Sequence, residues 1–262
     1  MVRKFIDISV PLQAGIKSDP PRALPQIEYV DHHQTAPMMA EYMDIGIEQF
    51  PDGEYAAIER CTISTHNGTH LDAPYHFFSS MNHRLKPGGE QSWRIDEVPL
   101  EWCFQPAVKL DFRHFPHGYV ARVADVQAEL KRIGHTLKPL EIVLVNTAAG
   151  VRYGEDDYVD SGCGVGKEAT LWMLEQGVRL VGTDAWSWDA PFSYTREEVK
   201  RTGNAGLIWE GHRAGREIGY SHLEKLHNLE QLPNTGFEVV CFPVKVHRAS
   251  AGWTRAVAVL EQ

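Results

Sequence analysis

Three histidines and an aspartate fall within eleven residues of this 262-residue chain. The segment 66–76 reads HNGTHLDAPYH, and His66, His70, Asp72 and His76 are its metal-binding residue types. Imidazole nitrogen and carboxylate oxygen bind borderline-hard divalent ions such as Zn²⁺ at about 2 Å. The concentration of these groups predicts a metal site, provided that the backbone brings them to one point.

A turn would bring the first two histidines together. The strand-like stretch 61–64 leads into Asn67-Gly68, a dipeptide that favours a tight turn with positive φ. Such a turn folds His70 back beside His66. We therefore expect both imidazoles to be metal ligands without any helix.

The residues after the turn add further candidate ligands. His70 and Asp72 are two positions apart, so they point to the same side of an extended segment, and Pro74 prevents a regular helix there. His76 follows four residues after Asp72, close enough to transfer protons without being a necessary ligand. We predict His66, His70 and Asp72 as ligands and His76 as the catalytic residue.

The remaining histidines show no comparable pattern. Those in polar surroundings are interpreted as surface or interface residues without a role: His32, His33, His83, His114, His117, His135, His222 and His227. Four widely spaced cysteines form no C-x-x-C pair and are expected to be inert buried thiols, with Cys163 more exposed in its glycine-rich turn.

Composition narrows the class of partner. The net charge is −9 and no run of lysine and arginine occurs, which argues against nucleic acid or an anionic membrane and favours a small-molecule substrate. The first residues carry an acid before any apolar run, and no stretch approaches the length of a membrane span. A cytoplasmic protein is the expectation.

Alternating strands and helices predict an α/β fold. The candidate strands are 58–63, 107–111, 142–145, 179–181, 237–246 and 254–260, and the candidate helices are 123–133, 167–176 and 221–229. Residues 11–55 read as an irregular excursion over the surface. The strands become nearly consecutive towards the C-terminus, so we expect one domain over residues 1–262 with a mixed, barrel-like sheet and flanking helices.

The motif H-x-G-T-H-x-D-x-P-x-H resembles the signature of the cyclase-like metal-dependent hydrolases, which include bacterial kynurenine formamidase and isatin hydrolase. Similarity extends to Asp7-Ile8-Ser9 and to the closing Arg255-Ala256-Val257. The resemblance implies a swivelling β/β/α fold and a homodimer or homotetramer with sites near subunit contacts. The formamidase has Trp-Pro where this chain reads Asp19-Pro20, which weakens a kynurenine-pathway substrate.

The resemblance also implies further ligands. In the formamidase a histidine and a glutamate twelve positions apart complete the site, and His212 and Glu224 repeat that spacing. The family pattern then gives one metal held by His66, His70, Asp72 and Glu224, and a second held by Asp72, His212 and Glu224. One or two Zn²⁺ ions, or Mn²⁺, are the expected cofactors.

A polar and aromatic stretch after a predicted strand is a candidate substrate site. Thr183-Asp184 and Ser187 could orient ligands or relay a proton there, or form a polar loop with buried tryptophans. Aromatic side chains could form the wall of a pocket for a cyclic substrate, although tryptophans are usually core residues. The candidate substrate-binding residues are Trp186, Ser187, Trp188, Phe192 and Trp209.

These features predict a metal-dependent hydrolase of an N-formyl arylamine, a cyclic amide or imide, or a lactone, with His76 as proton shuttle. Two alternatives stay open. His70-x-Asp72 with His247 and Arg255 imitates an iron and 2-oxoglutarate oxygenase, although that leaves His66 and His76 unexplained. A non-catalytic metal-binding protein of the same fold is the other, although metal binding alone does not require His76.

Overall fold

A nine-stranded mixed sheet lies at the centre of the structure, a computed structural model that describes residues 2–261. The helices and strands in chain order are β1 (Arg3–Asp7), β2 (Gln26–Val30), α1 (His32–Met43), β3 (Ile58–Thr62), β4 (His70–Asp72), α2 (Pro74–Phe77), β5 (Ser80–Met81), β6 (Glu90–Gln91), β7 (Phe104–Asp111), β8 (Val120–Ala121), α3 (Val123–Arg132), β9 (Ile142–Asn146), β10 (Gly164–Val165), α4 (Lys167–Glu175), β11 (Leu180–Thr183), α5 (Phe192–Thr202), α6 (Ala214–Glu217), β12 (Ser221–Glu224), β13 (Phe237–Val240), β14 (Ala251–Trp253) and β15 (Val257–Glu261).

The strand order of this sheet is β1-β15-β13-β7-β9-β11-β12-β4-β14. Strands β7, β9, β11 and β12 run parallel, and the remaining pairings are antiparallel. Strand pairs β2–β3, β5–β6 and β8–β10 form separate two-stranded sheets. The predicted α/β class with a mixed sheet is confirmed.

Both faces of the central strands are buried, as the apolar run 142–145 requires. Val143 and Val145 point into a core that α3 and α4 cover, whereas Ile142 and Leu144 point into a second core on the other face. The ends of β9 and β11 are therefore held by two packed cores. The loop that follows β11 carries the predicted substrate-binding residues Trp186, Ser187 and Trp188.

The helices predicted over 123–133 and 167–176 are confirmed within one residue at their C-terminal ends. The helix predicted over 221–229 is wrong: this stretch forms β12 and then turns, with Lys225 and Asn228 at positive φ. Strand β12 pairs with β11 on one side and with β4 on the other. This pairing overrides the helix propensity of the leucine and lysine residues in 221–229. No helix of the described part is long and apolar enough to cross a bilayer.

Several strand boundaries also differ from the prediction. The strand predicted over 237–246 ends at Val240, shortly before Pro243, which has no N–H group to donate to a neighbouring strand. The strand predicted from Thr254 begins only at Val257. The excursion over 11–55 is more regular than expected, because it contains β2 and the twelve-residue helix α1, which Asp31 caps.

The cysteines also depart from expectation. Cys61 is exposed on β3, whereas Cys103, Cys163 and Cys241 are buried. The expectation of a more exposed Cys163 is wrong, and burial raises the pKa of its thiol to about 12. Its glycine-rich turn packs tightly, since a Cβ on Gly164 would collide with the backbone of Ala190.

Candidate metal site

The Asn67-Gly68 turn forms as expected. Gly68 has φ +61°, and the Asn67 side chain accepts a hydrogen bond from the Ser64 amide at 2.7 Å. Beyond the turn, the chain enters β4 at His70. The ring centroids of His66 and His70 consequently lie 5.1 Å apart.

Strand pairing brings the C-terminal ligands to this segment. In the antiparallel register of β4 and β12, His70 lies opposite Glu224 and Asp72 lies opposite His222. Leu71, between the two polar residues, points away into the second core. Two short strands with alternating polarity thus supply four metal-binding side chains to one face.

Two buried atoms at the centre of this face are available for a cation. His70 donates from Nδ1 to the Gly68 carbonyl at 2.9 Å, which directs Nε2 inwards. Among residues 2–261, neither His70 Nε2 nor Asp72 Oδ1 has a hydrogen-bond partner, although both are fully buried. Nε2 lies 3.3 Å from Asp72 Oδ1 and 3.6 Å from Glu224 Oε2. Buried polar atoms without partners are costly, so this donor set fits a bound divalent ion.

His66 and His212 approach the same centre from two loops. The Ser250 hydroxyl contacts His66 Nε2 at 3.1 Å, and His66 Nδ1 lies 2.9 Å from Asp72 Oδ1 without the geometry of a hydrogen bond. His212 donates from Nδ1 to Asp189 at 2.5 Å, the carboxylate-histidine arrangement that orients metal ligands. Every predicted ligand therefore lies near Asp72 or near His222, which is opposite Asp72 on β12.

Two overlapping groups of side chains could each hold an ion; the second includes His76, and His70 belongs to neither. Asp72, His212, His222 and Glu224 form one set and His66, Asp72 and His76 the other, with atoms within 4.8 Å of one another in each. Asp72 belongs to both groups. The arrangement can hold one ion or two.

His222 is a residue that sequence reasoning missed. The interpretation of His222 as a surface residue is wrong, because its side chain is fully buried. Its Nε2 lies 2.8 Å from Asp72 Oδ2 and 3.2 Å from Glu224 Oε1. A sequence signal existed: His222-Leu223-Glu224 repeats the histidine-leucine-acid order of residues 70–72.

The electrostatics of the centre favour ionised carboxylates. Burial opposes ionisation of Asp72, but the surrounding His76, His70 and His66 hold its pKa well below the usual range. Burial likewise acts against the ionisation of Glu224, yet His222 lowers its pKa to about 2. Two adjacent carboxylates provide the negative charge that a divalent cation requires.

His76 stands at the open side of the cluster, as expected. Its side chain is 21% exposed, its Nε2 lies 3.8 Å from Asp72 Oδ2, and its ring lies 4.3 Å from the His66 ring. Burial lowers the pKa of His76 to about 4, which leaves a neutral imidazole at neutral pH. A neutral imidazole beside the metal position can accept a proton from water.

A small cavity of about 140 Å³ opens onto the cluster. Three of the predicted substrate-binding residues, Trp186, Ser187 and Trp209, line it together with His66 and His76. The Trp209 ring stacks on His212 with 4.4 Å between centroids. The cavity therefore has aromatic walls and a metal-binding floor.

Two predicted pocket residues lie elsewhere. Trp188 belongs to the core, where its indole donates to Thr170, and it does not line the cavity. Phe192 is 43% exposed and packs against Trp186 and Trp209 outside the cavity lining.

Asp184 is a buried acid in the loop after β11. Its carboxylate accepts hydrogen bonds from the backbone and hydroxyl of Thr147 and from the Gly150 amide. Burial nonetheless raises its pKa to about 7. These contacts tie the loop after β9 to the loop after β11, so we assign Asp184 a structural role.

The oxygenase alternative fails on geometry. His247 is 84% exposed and pairs with Asp96, and Arg255 is 80% exposed and pairs with Asp7. Neither residue reaches the cluster around Asp72. An oxygenase would need His247 as third ligand and Arg255 beside His70 and Asp72, and neither residue lies there.

Together these residues define a buried histidine and carboxylate centre of the type that binds divalent metal ions. A family model described as putative cyclase matches residues 6–190, and the chain belongs to this cyclase family. The match includes the segment 66–76 but ends before His212 and Glu224, so their assignment depends on the geometry above.

Relatives and solved structures agree with this family. The chain is 30% identical to a kynurenine formamidase of Salinibacter ruber over 196 residues, covering 74% of this chain and 76% of that protein. Isatin hydrolase A from Ralstonia solanacearum has the same fold, with a TM-score of 0.74, 22% identity, and coverage of 99% and 92% of the two chains. A predicted metal-dependent hydrolase from Bacillus stearothermophilus also matches over its full length, with a TM-score of 0.64 and 17% identity.

Proposed function

We propose that this protein is a metal-dependent hydrolase that cleaves the C–N bond of an N-formyl arylamine or a cyclic amide or imide, or the ester bond of a lactone. The observation that carries the proposal is the buried pair of unpartnered atoms, His70 Nε2 and Asp72 Oδ1, next to the accessible His76. Relatives named kynurenine formamidase and neighbours named isatin hydrolase support an amide substrate.

The ligand set we assign comprises His66, His70, Asp72, His212 and Glu224, with His222 added from its position between the two carboxylates. A Zn²⁺ or Mn²⁺ ion bound there supplies Lewis-acid activation of the substrate carbonyl and of the attacking water. His212 is oriented by Asp189, and His70 by the Gly68 carbonyl.

His76 performs the proton transfers in this proposal. Its neutral imidazole accepts a proton from water as the water attacks the carbonyl carbon. The same nitrogen then returns the proton to the leaving nitrogen or oxygen as the scissile bond breaks. Trp186 and Trp209 contact the ring of the substrate and keep bulk water away from the reacting atoms.

Metal removal and reconstitution test this function. We expect the chelator-treated protein to hydrolyse none of three substrate types, a formanilide, a cyclic imide or isatin-like amide, and a lactone. Zn²⁺ or Mn²⁺ should restore turnover of at least one type under nitrogen. Tight metal binding without turnover of any type would instead favour a non-catalytic metal-binding protein.

We further propose that the chain forms a homodimer or homotetramer. Large apolar side chains are exposed between residues 29 and 58, as expected for a surface that contacts another copy.

A further inference from the structure

One side of the cavity is formed by the N-terminal segment, residues 11–25, which connects β1 to β2 and lacks α-helix and β-strand of its own. Most of its side chains are exposed, and Ser18 and Asp19 are its buried polar residues. Asp19 and Ala23 line the cavity. The position of this segment therefore depends on the contacts of a few side chains.

Asp19 is the main polar anchor of the segment. Its Oδ1 accepts hydrogen bonds from Trp186 Nε1 at 3.0 Å and from Lys225 Nζ. Its Oδ2 accepts from Asn67 Nδ2 at 3.0 Å and from the Ser18 hydroxyl at 3.1 Å. One carboxylate thus joins the segment to the turn before β4, the loop after β11 and the end of β12.

Lys225 is an unusual residue at this position. Its side chain is 1% exposed, and its φ of +58° is uncommon for a residue with a Cβ atom. Besides Asp19, its ammonium contacts the His66 carbonyl at 2.9 Å. A buried ammonium needs a paired anion, so loss of Asp19 would leave it uncompensated.

The ion pair also borders the cavity, because Asp19 and Lys225 are both lining residues. The cavity volume of about 140 Å³ is close to the roughly 150 Å³ that holds one benzene molecule in a protein core. A second fused ring exceeds this volume while the segment is in place.

We propose that the Asp19–Lys225 ion pair determines substrate size, by holding the N-terminal segment over the cavity and favouring substrates with one ring over fused-ring substrates such as isatin-like amides. This inference rests on the proposed hydrolase function and assigns the pair a positioning role. Neither residue touches the reacting atoms.

The first test measures the segment itself, without substrate or turnover. Asp19→Asn and Lys225→Met should both increase amide hydrogen exchange in residues 11–25. Lys17→Ala is the matched control, because it removes the exposed Lys17–Asp156 ion pair on the same segment and should leave exchange unchanged. Unchanged exchange in both Asp19→Asn and Lys225→Met would overturn the proposal.

The second test compares two formamides that share the scissile bond and differ by one fused ring, formanilide and N-(1-naphthyl)formamide. The wild-type enzyme should favour formanilide in kcat/KM by about tenfold or more, and Asp19→Asn should reduce this preference about tenfold. A merely structural role would lower both values equally. That result, or the absence of any preference in the wild-type enzyme, would overturn the proposal.

The outcomes separate this proposal from the proposed function. If the metal-loaded wild-type protein cleaves neither formamide, arylformamides are excluded as substrates. The size limit is then measured from calorimetric binding of aniline and 1-naphthylamine to the wild-type protein and Asp19→Asn. An equal preference in the two proteins would overturn the proposed role of the ion pair in substrate size. Metal content is measured throughout, and Asp19→Asn keeps the shape of the side chain in case Lys225→Met does not fold.

Discussion

His76 differs from its neighbouring histidines in its surroundings, although all of them belong to one motif. His70 is fully buried and its Nδ1 is bound to a carbonyl, whereas His76 retains 21% exposure and faces the cavity. Ligands benefit from fixed orientation, and proton carriers need access to water and substrate. Exposure and fixation therefore separate His76 from His70, whereas His66, whose side chain is 28% exposed, is distinguished by its contacts with Ser250 and Asp72.

Replacement of His76 tests this division. We expect His76→Ala to retain its bound metal and to lose about 10²- to 10⁴-fold in kcat, the usual contribution of a general acid-base residue. Steady-state kinetics and elemental analysis measure the two quantities. His114→Ala, which alters an exposed histidine, serves as the control. Wild-type turnover in His76→Ala would remove the catalytic assignment.

His222 provides a second test at this scale. Because it lies between Asp72 and Glu224, we expect His222→Ala to weaken metal binding by about 10- to 100-fold. Competition with a chromophoric chelator measures the affinity. His227→Ala is a useful comparison, because this half-buried histidine contacts the Gly150 carbonyl away from the ligands. Equal affinities in the two variants would show that His222 is dispensable for metal binding.

At the scale of elements, the sequence predicted those conformations that depend on neighbouring residues. The turn at Gly68 and the extended segment through His70 and Asp72 followed from residue types alone. The partner strand β12 did not, because its pairing with β4 joins residues about 150 positions apart and no local pattern encodes that register. Helix propensity therefore suggested a helix where tertiary pairing produces a strand.

Helix α1 was missed for a related reason. Its buried residues are the small side chains Thr35, Ala36 and Ala40, so an apolar stripe with helical spacing is weak. Pro37 inside it is a further signal against a helix. The capping box formed by Asp31 and Gln34 is the local feature that could have indicated its start.

The Gly68 turn permits a comparison between two glycines with similar backbones. Gly68 has φ +61° and Gly203 has φ +69°, so alanine at either site should cost about 1 kcal/mol or more of unfolding free energy. Only Gly68→Ala should also weaken metal binding, because its turn positions His66 and His70. Thermal unfolding of the metal-free proteins and chelator competition measure the two effects. Unchanged metal affinity in Gly68→Ala would contradict the role of the turn.

For the whole molecule, the region from β2 to β3 is the part least supported by the central sheet. Its two strands form a separate sheet, and every residue of β3 is exposed. A two-stranded hairpin is marginally stable in water without further packing. The region also carries exposed large apolar residues: Tyr29, Met38, Tyr42, Met43, Tyr55 and Ile58.

Another copy of the chain would supply the missing packing through a symmetric contact. Tyr42 is 82% exposed, and burial of one such side chain contributes about 1.5–3 kcal/mol, so Tyr42→Ser should weaken self-association by about tenfold or more. Light scattering over a range of protein concentrations measures the mass. Val151→Ser, at a position that is 76% exposed outside this region, should leave association unchanged. A wild-type protein that stays monomeric at all concentrations would contradict the proposed oligomer, and equal association of the two variants would exclude the Tyr42 surface as its interface.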